Sequence, residues 1–117
     1  MNDQHQVDNR SMVERQLDTP IIRYLGCDVV LTKERYGSNG NLAVIATCLD
    51  GEPFATLTVN TVKLAEDEAC LDTNNLPGIQ ACLLENGLIA LTGRYVQSGF
   101  CTYPIVRFKQ TTEGGAL

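Results

Sequence analysis

The hydrophobic pattern in the central part of the chain predicts three consecutive β-strands. Residues 27–36 and 52–62 alternate between apolar and polar side chains, whereas residues 41–49 carry Val, Ile, Leu and Ala on both faces. Turn signals separate the three segments: a Gly-Ser-Asn-Gly run at 37–40, and Asp50-Gly51, which favours a two-residue hairpin turn. We therefore expect an antiparallel meander here.

Shorter elements flank this meander. Residues 21–25 form an apolar segment typical of an edge strand, and residues 69–71 form a second short one after an acidic turn. A helix is expected after Pro77, with Ile79, Cys82 and Leu83 on one face and Gly87 as its C-terminal cap. We expect that face to cover one side of the sheet, which would explain a second strand that is apolar on both faces.

The last part of the chain predicts a loop followed by a strand. Thr92-Gly93 and Ser98-Gly99 bracket residues 94–97, which we interpret as a loop. Residues 100–108 have the composition of a strand. Pro104 lies inside it and has no N–H to donate, so this strand should lie at an edge or contain a bulge.

Together these patterns predict an α+β fold: an antiparallel β-meander sheet of about four to five strands with one short helix packed on a face. The chain of 117 residues has the size of one domain. We expect a polar N-terminal extension at 1–20, either a short helix or disordered, a single α+β domain at 21–109, and a flexible tail at 110–117.

The charge of the chain limits the kinds of partner. The formal net charge is -5, which disfavours non-specific binding to nucleic acids and to anionic membranes, because both reward clustered Lys and Arg. No apolar run approaches the ~20 residues that span a bilayer. We expect a cytoplasmic protein that does not bind membranes.

Cysteine and histidine usage gives no sign of catalysis. The chain has five cysteines without C-x-x-C spacing, which we interpret as reduced thiols rather than a disulfide framework. The single histidine, His5, lies in the polar extension, so a Ser–His or Cys–His couple is not expected. We predict no catalytic residue, no metal site and no cofactor, and hence a protein that is not an enzyme.

The segment 92–104 is the most distinctive in composition, since it combines an arginine, three aromatic residues, two glycines and a proline. Arg and Tyr are typical of binding hot spots. A structural role is the alternative, in which the arginine bonds loop carbonyls and the aromatic rings complete the core. The candidate binding residues are Arg94, Tyr95, Gln97, Ser98, Phe100 and Tyr103.

A second candidate surface is acidic. Carboxylates cluster just before and just after the short strand at 69–71, with no basic residue between them. We interpret them as a solvated patch that could face a basic partner. Its members are Glu66, Asp67, Glu68 and Asp72.

Three blocks of the sequence carry a resemblance to a known family. They are Gly-Glu-Pro-Phe-Ala-Thr-Leu-Thr-Val-Asn at 51–60, Asp-Thr-Asn-Asn at 72–75 with the following helix, and the segment 92–104. In this order and spacing the chain, from about residue 27 to residue 108, resembles an uncharacterised bacterial and phage family labelled as a domain of unknown function. The resemblance implies a small intracellular protein of a phage or mobile element, supplies no activity or site, and leaves residues 1–25 as an addition.

The leading functional hypothesis is a non-catalytic protein-binding accessory factor of a phage or mobile element. By association with such elements, it would inhibit a host defence complex, as anti-CRISPR and anti-restriction proteins do. The partner would be another protein, such as a basic host defence protein, and edge strands would also allow a homodimer. The alternative is a small-molecule sensor or small enzyme with a pocket between helix and sheet; a nucleic-acid-binding module is third and unfavoured by the charge.

Overall fold

A computed structural model describes residues 21–109 as two four-stranded antiparallel sheets and one helix. Sheet 1 has the order β1-β2-β3-β4, and sheet 2 has the order β5-β6-β8-β7. The strands are β1 Ile22–Tyr24, β2 Cys27–Arg35, β3 Leu42–Cys48, β4 Pro53–Thr56, β5 Thr58–Val59, β6 Glu68–Leu71, β7 Ile89–Ser98 and β8 Cys101–Phe108, and the helix is α1 Ile79–Glu85. The α+β class is confirmed, but the described strands form two sheets where the sequence pattern predicts one.

The predicted antiparallel neighbours β2, β3 and β4 are present. Val29 lies opposite Cys48, and Leu31 lies opposite Ala46, so the apolar positions of β2 and β3 share the inner face of sheet 1. The β3–β4 turn forms where Asp50-Gly51 predicts it, with Gly51 at a φ of 95°. The Asp50 carboxylate accepts the Glu52 N–H at 3.0 Å and fixes this turn.

The third predicted strand divides into β4 and β5 at Leu57. The Leu57 N–H donates to the Val44 carbonyl of sheet 1 at 2.8 Å, while the Leu57 carbonyl accepts the Asp72 N–H beside sheet 2 at 2.9 Å. The side chain of Leu57 is buried in the core. One residue therefore passes the chain from one sheet to the other without interrupting the apolar alternation, which is why the pattern reads as a single strand.

A single hydrophobic core joins the inner faces of both sheets and the helix. Ile79 and Leu83 of α1 are buried as predicted, and Cys82 packs at the edge of the core. The helix contacts β1 and β7. Leu42, Val44 and Ala46 of β3 belong to the core, whereas Ile45 on the outer face is half-buried.

Strand β1 is an integral part of sheet 1. Its residues Ile22 and Tyr24 are buried, and Arg23 pairs with Asp28 at 2.8 Å. The Tyr24 hydroxyl donates to the carbonyl of Pro77 at 2.8 Å, just before α1. The first segment of the described chain thus ties the helix to the sheet, and residues 22–24 are not a mere addition to the fold.

The interpretation of residues 94–97 as a loop is wrong, because β7 continues through them to Ser98. Gly93 has a φ of 82°, but it forms part of a bulge and not of a turn. The expectations for residues 1–20 and 110–117 lie outside the described residues. Within 21–109, no helix has the length and apolarity to cross a bilayer.

Candidate functional site

Strands β7 and β8 form a hairpin that extends past sheet 2. Strand β6 pairs with β8 only through Ile105, Val106 and Arg107. Beyond these residues β7 and β8 pair with each other, from Tyr95 opposite Pro104 to Ser98 opposite Cys101. We call residues 95–104 the distal hairpin. It is a two-stranded ribbon whose turn is Gly99-Phe100.

A wide bulge separates the distal hairpin from the rest of the sheet. Leu91 lies opposite Val106 and Tyr95 lies opposite Pro104, so three residues of β7 face the single residue Ile105 of β8. The Thr92 hydroxyl donates to the Ile105 carbonyl at 2.7 Å and accepts the Arg94 N–H at 3.1 Å. With Gly93 at positive φ, these bonds fix the bulge and direct the Arg94 side chain toward β6.

A buried carboxylate lies at the base of the distal hairpin. Glu68 of β6 is 4% exposed and accepts hydrogen bonds from the guanidinium groups of Arg94 on β7 and Arg107 on β8, the latter at 3.1 Å. Its second oxygen accepts the Ala65 N–H at 3.3 Å. We call Glu68, Arg94 and Arg107 the Glu68 cluster, and it joins the three strands from which the hairpin leaves the sheet.

One face of the hairpin and its tip expose large apolar side chains. Leu91 is 49% exposed, Tyr95 is 65% exposed, and Phe100 at the turn is 106% exposed. Leu91 lies opposite Val106, and Tyr95 lies opposite Pro104. Because Val106 and Pro104 are two residues apart on β8, Leu91 and Tyr95 lie on the same face of the hairpin. We call Leu91, Tyr95 and Phe100 the hairpin stripe. Leu91 is not among the predicted binding residues, and its period-two spacing from Ile89 would predict a buried side chain rather than an exposed one.

The other face of the distal hairpin is partly covered. Val96 and Tyr103 lie opposite each other and are half-buried, as is Cys101. The hydrogen bond with Cys101, followed by burial, raises the pKa of the Tyr103 hydroxyl above its ordinary value. Tyr103 therefore has a partner within the domain, whereas Tyr95 presents its ring to solvent.

The predicted binding residues divide between these regions. Tyr95, Gln97, Ser98 and Phe100 are exposed on the distal hairpin. Arg94 lies below them, bound to Glu68, and Tyr103 lies on the covered face. The structural alternative, in which Arg94 bonds loop carbonyls, differs from what the structure shows, since the Arg94 guanidinium bonds to a carboxylate on another strand.

The acidic patch does not exist as a continuous exposed surface. Glu68 and Asp72 are 4% and 8% exposed, so neither can contact an outside partner. Asp72 accepts the backbone N–H of Asn75 at 3.2 Å and the side-chain amide of the same residue. Asp67 is half-buried and pairs with Arg107 at 3.2 Å, which leaves Glu66 exposed.

A depression of about 490 Å³ lies near the start of β6 and the end of β8. Its walls carry both signs of charge, and Arg35 donates to the carbonyl of Glu66 at 2.7 Å there. The lining residues are Lys33, Arg35, Leu42, Ala65, Glu66, Asp67 and Phe108. No residue of α1 lines this depression, so it is not the pocket between helix and sheet that the sequence predicts. Within residues 21–109, no three His, Cys, Asp or Glu side chains converge as metal ligands would.

Comparison with known families matches residues 30–113 to the model described as "Domain of unknown function (DUF4313)". The match covers more than half of the chain. The chain belongs to the DUF4313 family. No curated protein and no solved structure shows significant similarity to it. The DUF4313 segment contains the Glu68 cluster and the whole hairpin, but it begins after β1.

Proposed function

We propose that this DUF4313 protein is a non-catalytic accessory factor that binds another protein through the hairpin stripe. The observation that carries the proposal is the exposure of Phe100 at the tip of a ribbon to which no third strand pairs within residues 21–109. An aromatic ring held in water gains nothing for the fold, whereas buried in a partner it removes a large apolar area from water. Tyr95 and Leu91 extend the same surface toward the sheet.

The hydrogen bonds at the base of the hairpin support this role, because the Glu68 cluster fixes the orientation of the distal hairpin relative to sheet 2. Arg94 and Arg107 reach a common carboxylate from two strands, and Thr92 fixes the bulge between them. A ribbon that is ordered before binding loses less conformational entropy when it binds. The scaffold thus presents the hairpin stripe as a preformed surface.

The distal hairpin is an uncharged segment of a chain that is acidic overall. Residues 95–104 contain no Asp, Glu, Lys or Arg, whereas the whole chain has a net charge of -5. The complementary partner is a protein with an apolar pocket for Phe100, and the net charge of the whole chain favours a partner that is basic overall. In biological terms we propose a host defence complex as that partner, and a phage or mobile element as the source of the domain.

The test is comparative affinity capture from a bacterial lysate, followed by binding measurements with the purified partner. The wild type is compared with Phe100→Ser and with Val62→Ser, a control that changes an exposed apolar residue outside the hairpin. We expect one protein to be captured by the wild type and by the control but not by Phe100→Ser, with an affinity loss of about tenfold or more. Equal affinity of the partner for Phe100→Ser and the wild type would exclude the hairpin stripe as the binding site.

The depression beside Phe108 supports a second candidate, a small-molecule sensor. Lys33, Arg35, Glu66 and Asp67 around it offer groups for a polar ligand. A thermal-shift screen with nucleotides and metabolites tests this candidate, because a ligand that binds the folded state raises the melting temperature. A hit that persists in Phe100→Ser and is lost in Arg35→Gln would favour the sensor over the binding factor.

A further inference from the structure

Two thiols from neighbouring strands meet at the edge of the core in sheet 1. Cys27 is the first residue of β2, and Cys48 is the last residue of β3. Their sulfur atoms are 3.4 Å apart. Both side chains are half-buried and pack against the core, on the inner face that they share with Val29.

The remaining described cysteines have other partners. Cys70 is buried and its sulfur lies 3.1 Å from the Thr61 hydroxyl. Cys82 donates to the carbonyl of Arg23 at 3.5 Å, and the Cys101 thiol interacts with the Tyr103 hydroxyl, whose pKa it raises. The approach of Cys27 to Cys48 is thus a specific feature of one end of sheet 1.

A bond between the two residues needs a small movement of the backbone. A disulfide needs its sulfurs about 2.05 Å apart, so they must approach by roughly 1.4 Å. Since Val29 is the residue opposite Cys48, Cys27 is a diagonal neighbour, for which the α-carbon distance is usually ~7–8 Å and slightly long for a disulfide. Each residue adjoins a turn, at Leu25-Gly26 and at Asp50-Gly51, where the strand ends can adjust more easily than strand centres.

We propose that Cys27 and Cys48 form a reversible dithiol–disulfide site that reacts with low-molecular-weight disulfides such as glutathione disulfide. The thiolate of one cysteine attacks the oxidant, releases one glutathione thiol and leaves a mixed disulfide. The second cysteine attacks the protein sulfur of that mixed disulfide, forms the Cys27–Cys48 bond and releases a second glutathione thiol. Two electrons and two protons pass from the protein to the oxidant, which becomes two thiols.

The bond would join β2 and β3 at the end where both strands meet their turns. It would close a loop between residues 27 and 48 in the unfolded chain, which reduces the entropy of that state. We therefore expect the oxidised domain to melt about 5 °C or more above the reduced domain. The site is independent of the hairpin stripe, since it lies in the other sheet.

The experiment equilibrates the full chain in glutathione buffers of increasing disulfide content, blocks remaining thiols with an alkylating agent and maps the peptides by mass spectrometry. We expect an intramolecular form that lacks two hydrogen atoms, with the peptides of Cys27 and Cys48 linked. The control Cys82→Ser, another half-buried cysteine, should form the same link. Cys27→Ser and Cys48→Ser should stop at a single glutathione adduct.

The wild-type peptide map decides the outcome whether or not the serine variants fold. Stable glutathione adducts on Cys27 or Cys48 without a link between them would overturn the proposal. So would a bond between any other pair of cysteines, or full alkylation of both residues at the most oxidising buffer. Melting curves of the oxidised and reduced forms then show whether the bond stabilises the domain.

Discussion

The two halves of the β7–β8 hairpin use the same pair of strands in opposite ways. In the near half, Ile89, Val106 and Phe108 are buried in the core, and β6 provides a third strand. In the distal half, Tyr95 and Phe100 are exposed and no third strand is paired with the ribbon among the described residues. The bulge and the Glu68 cluster lie between the halves. Burial therefore holds the near half in place, whereas the distal half depends on a polar anchor.

The largest difference between the halves should appear when equivalent aromatic residues are truncated. Phe108→Ala removes a buried ring and should lower the free energy of unfolding by about 3–5 kcal/mol. Phe100→Ala removes a ring already in water and should change it by less than about 0.5 kcal/mol. Urea unfolding followed by circular dichroism measures both values, and similar costs would show that the distal half belongs to the core.

The anchor between the halves should have an intermediate effect. Glu68→Gln removes the charge from a buried acceptor of two arginines, and we expect the free energy of unfolding to fall by about 1–3 kcal/mol. The matched control Glu66→Gln changes an exposed carboxylate and should cost less than about 0.5 kcal/mol. If both variants unfold at the same urea concentration, the cluster contributes nothing to the anchor.

Leu91 tests how far the binding surface extends toward the near half. Its side chain is 49% exposed, so Leu91→Ser should lower the free energy of unfolding by less than about 1 kcal/mol. If the hairpin stripe binds as a unit, the same change should weaken partner binding by roughly tenfold, or about 1.4 kcal/mol. Unchanged affinity, measured by calorimetry, would confine the surface to Tyr95 and Phe100.

The smallest effect concerns the covered face of the distal half. Because the bond with Cys101 is the main cause that raises the pKa of Tyr103, Cys101→Ala should move that pKa down toward its ordinary value. The Tyr103 phenol would then ionise at lower pH, and ultraviolet absorbance of tyrosinate follows this change. Subtracting the titration curve of a Tyr103→Phe variant isolates the absorbance change of Tyr103. A Tyr103 pKa that is the same in Cys101→Ala and in the wild type would contradict the Cys101 contact.

Local signals in the sequence predict the elements that depend on local contacts. Asp50-Gly51 identifies the β3–β4 turn, and Ile79 and Leu83 identify the buried face of α1. Thr92-Gly93 misleads, because a glycine at positive φ serves a bulge as well as a turn. The second sheet is missed because Leu57 changes its partners without changing the apolar alternation.

The candidate site is predicted in composition but not in arrangement. Tyr95, Gln97, Ser98 and Phe100 are exposed as a binding surface requires. Glu68 lies 26 and 39 residues before its arginine partners, so no local pattern distinguishes it from exposed Glu66. The pairing of β6 with β8, and of β8 with β7, brings these charges together and makes Glu68 a buried group of the fold.

Strand β1 has a practical consequence for the boundary at which this domain is cut. The family match begins at residue 30, yet Ile22 and Tyr24 fill the core and the Tyr24 hydroxyl holds the chain before α1. A fragment that starts at residue 30 would expose the inner face of β2 to solvent and release the helix from sheet 1. Expression of a truncated version should therefore begin upstream of Ile22, and insolubility of a shorter fragment would reflect a missing strand and not an unstable family.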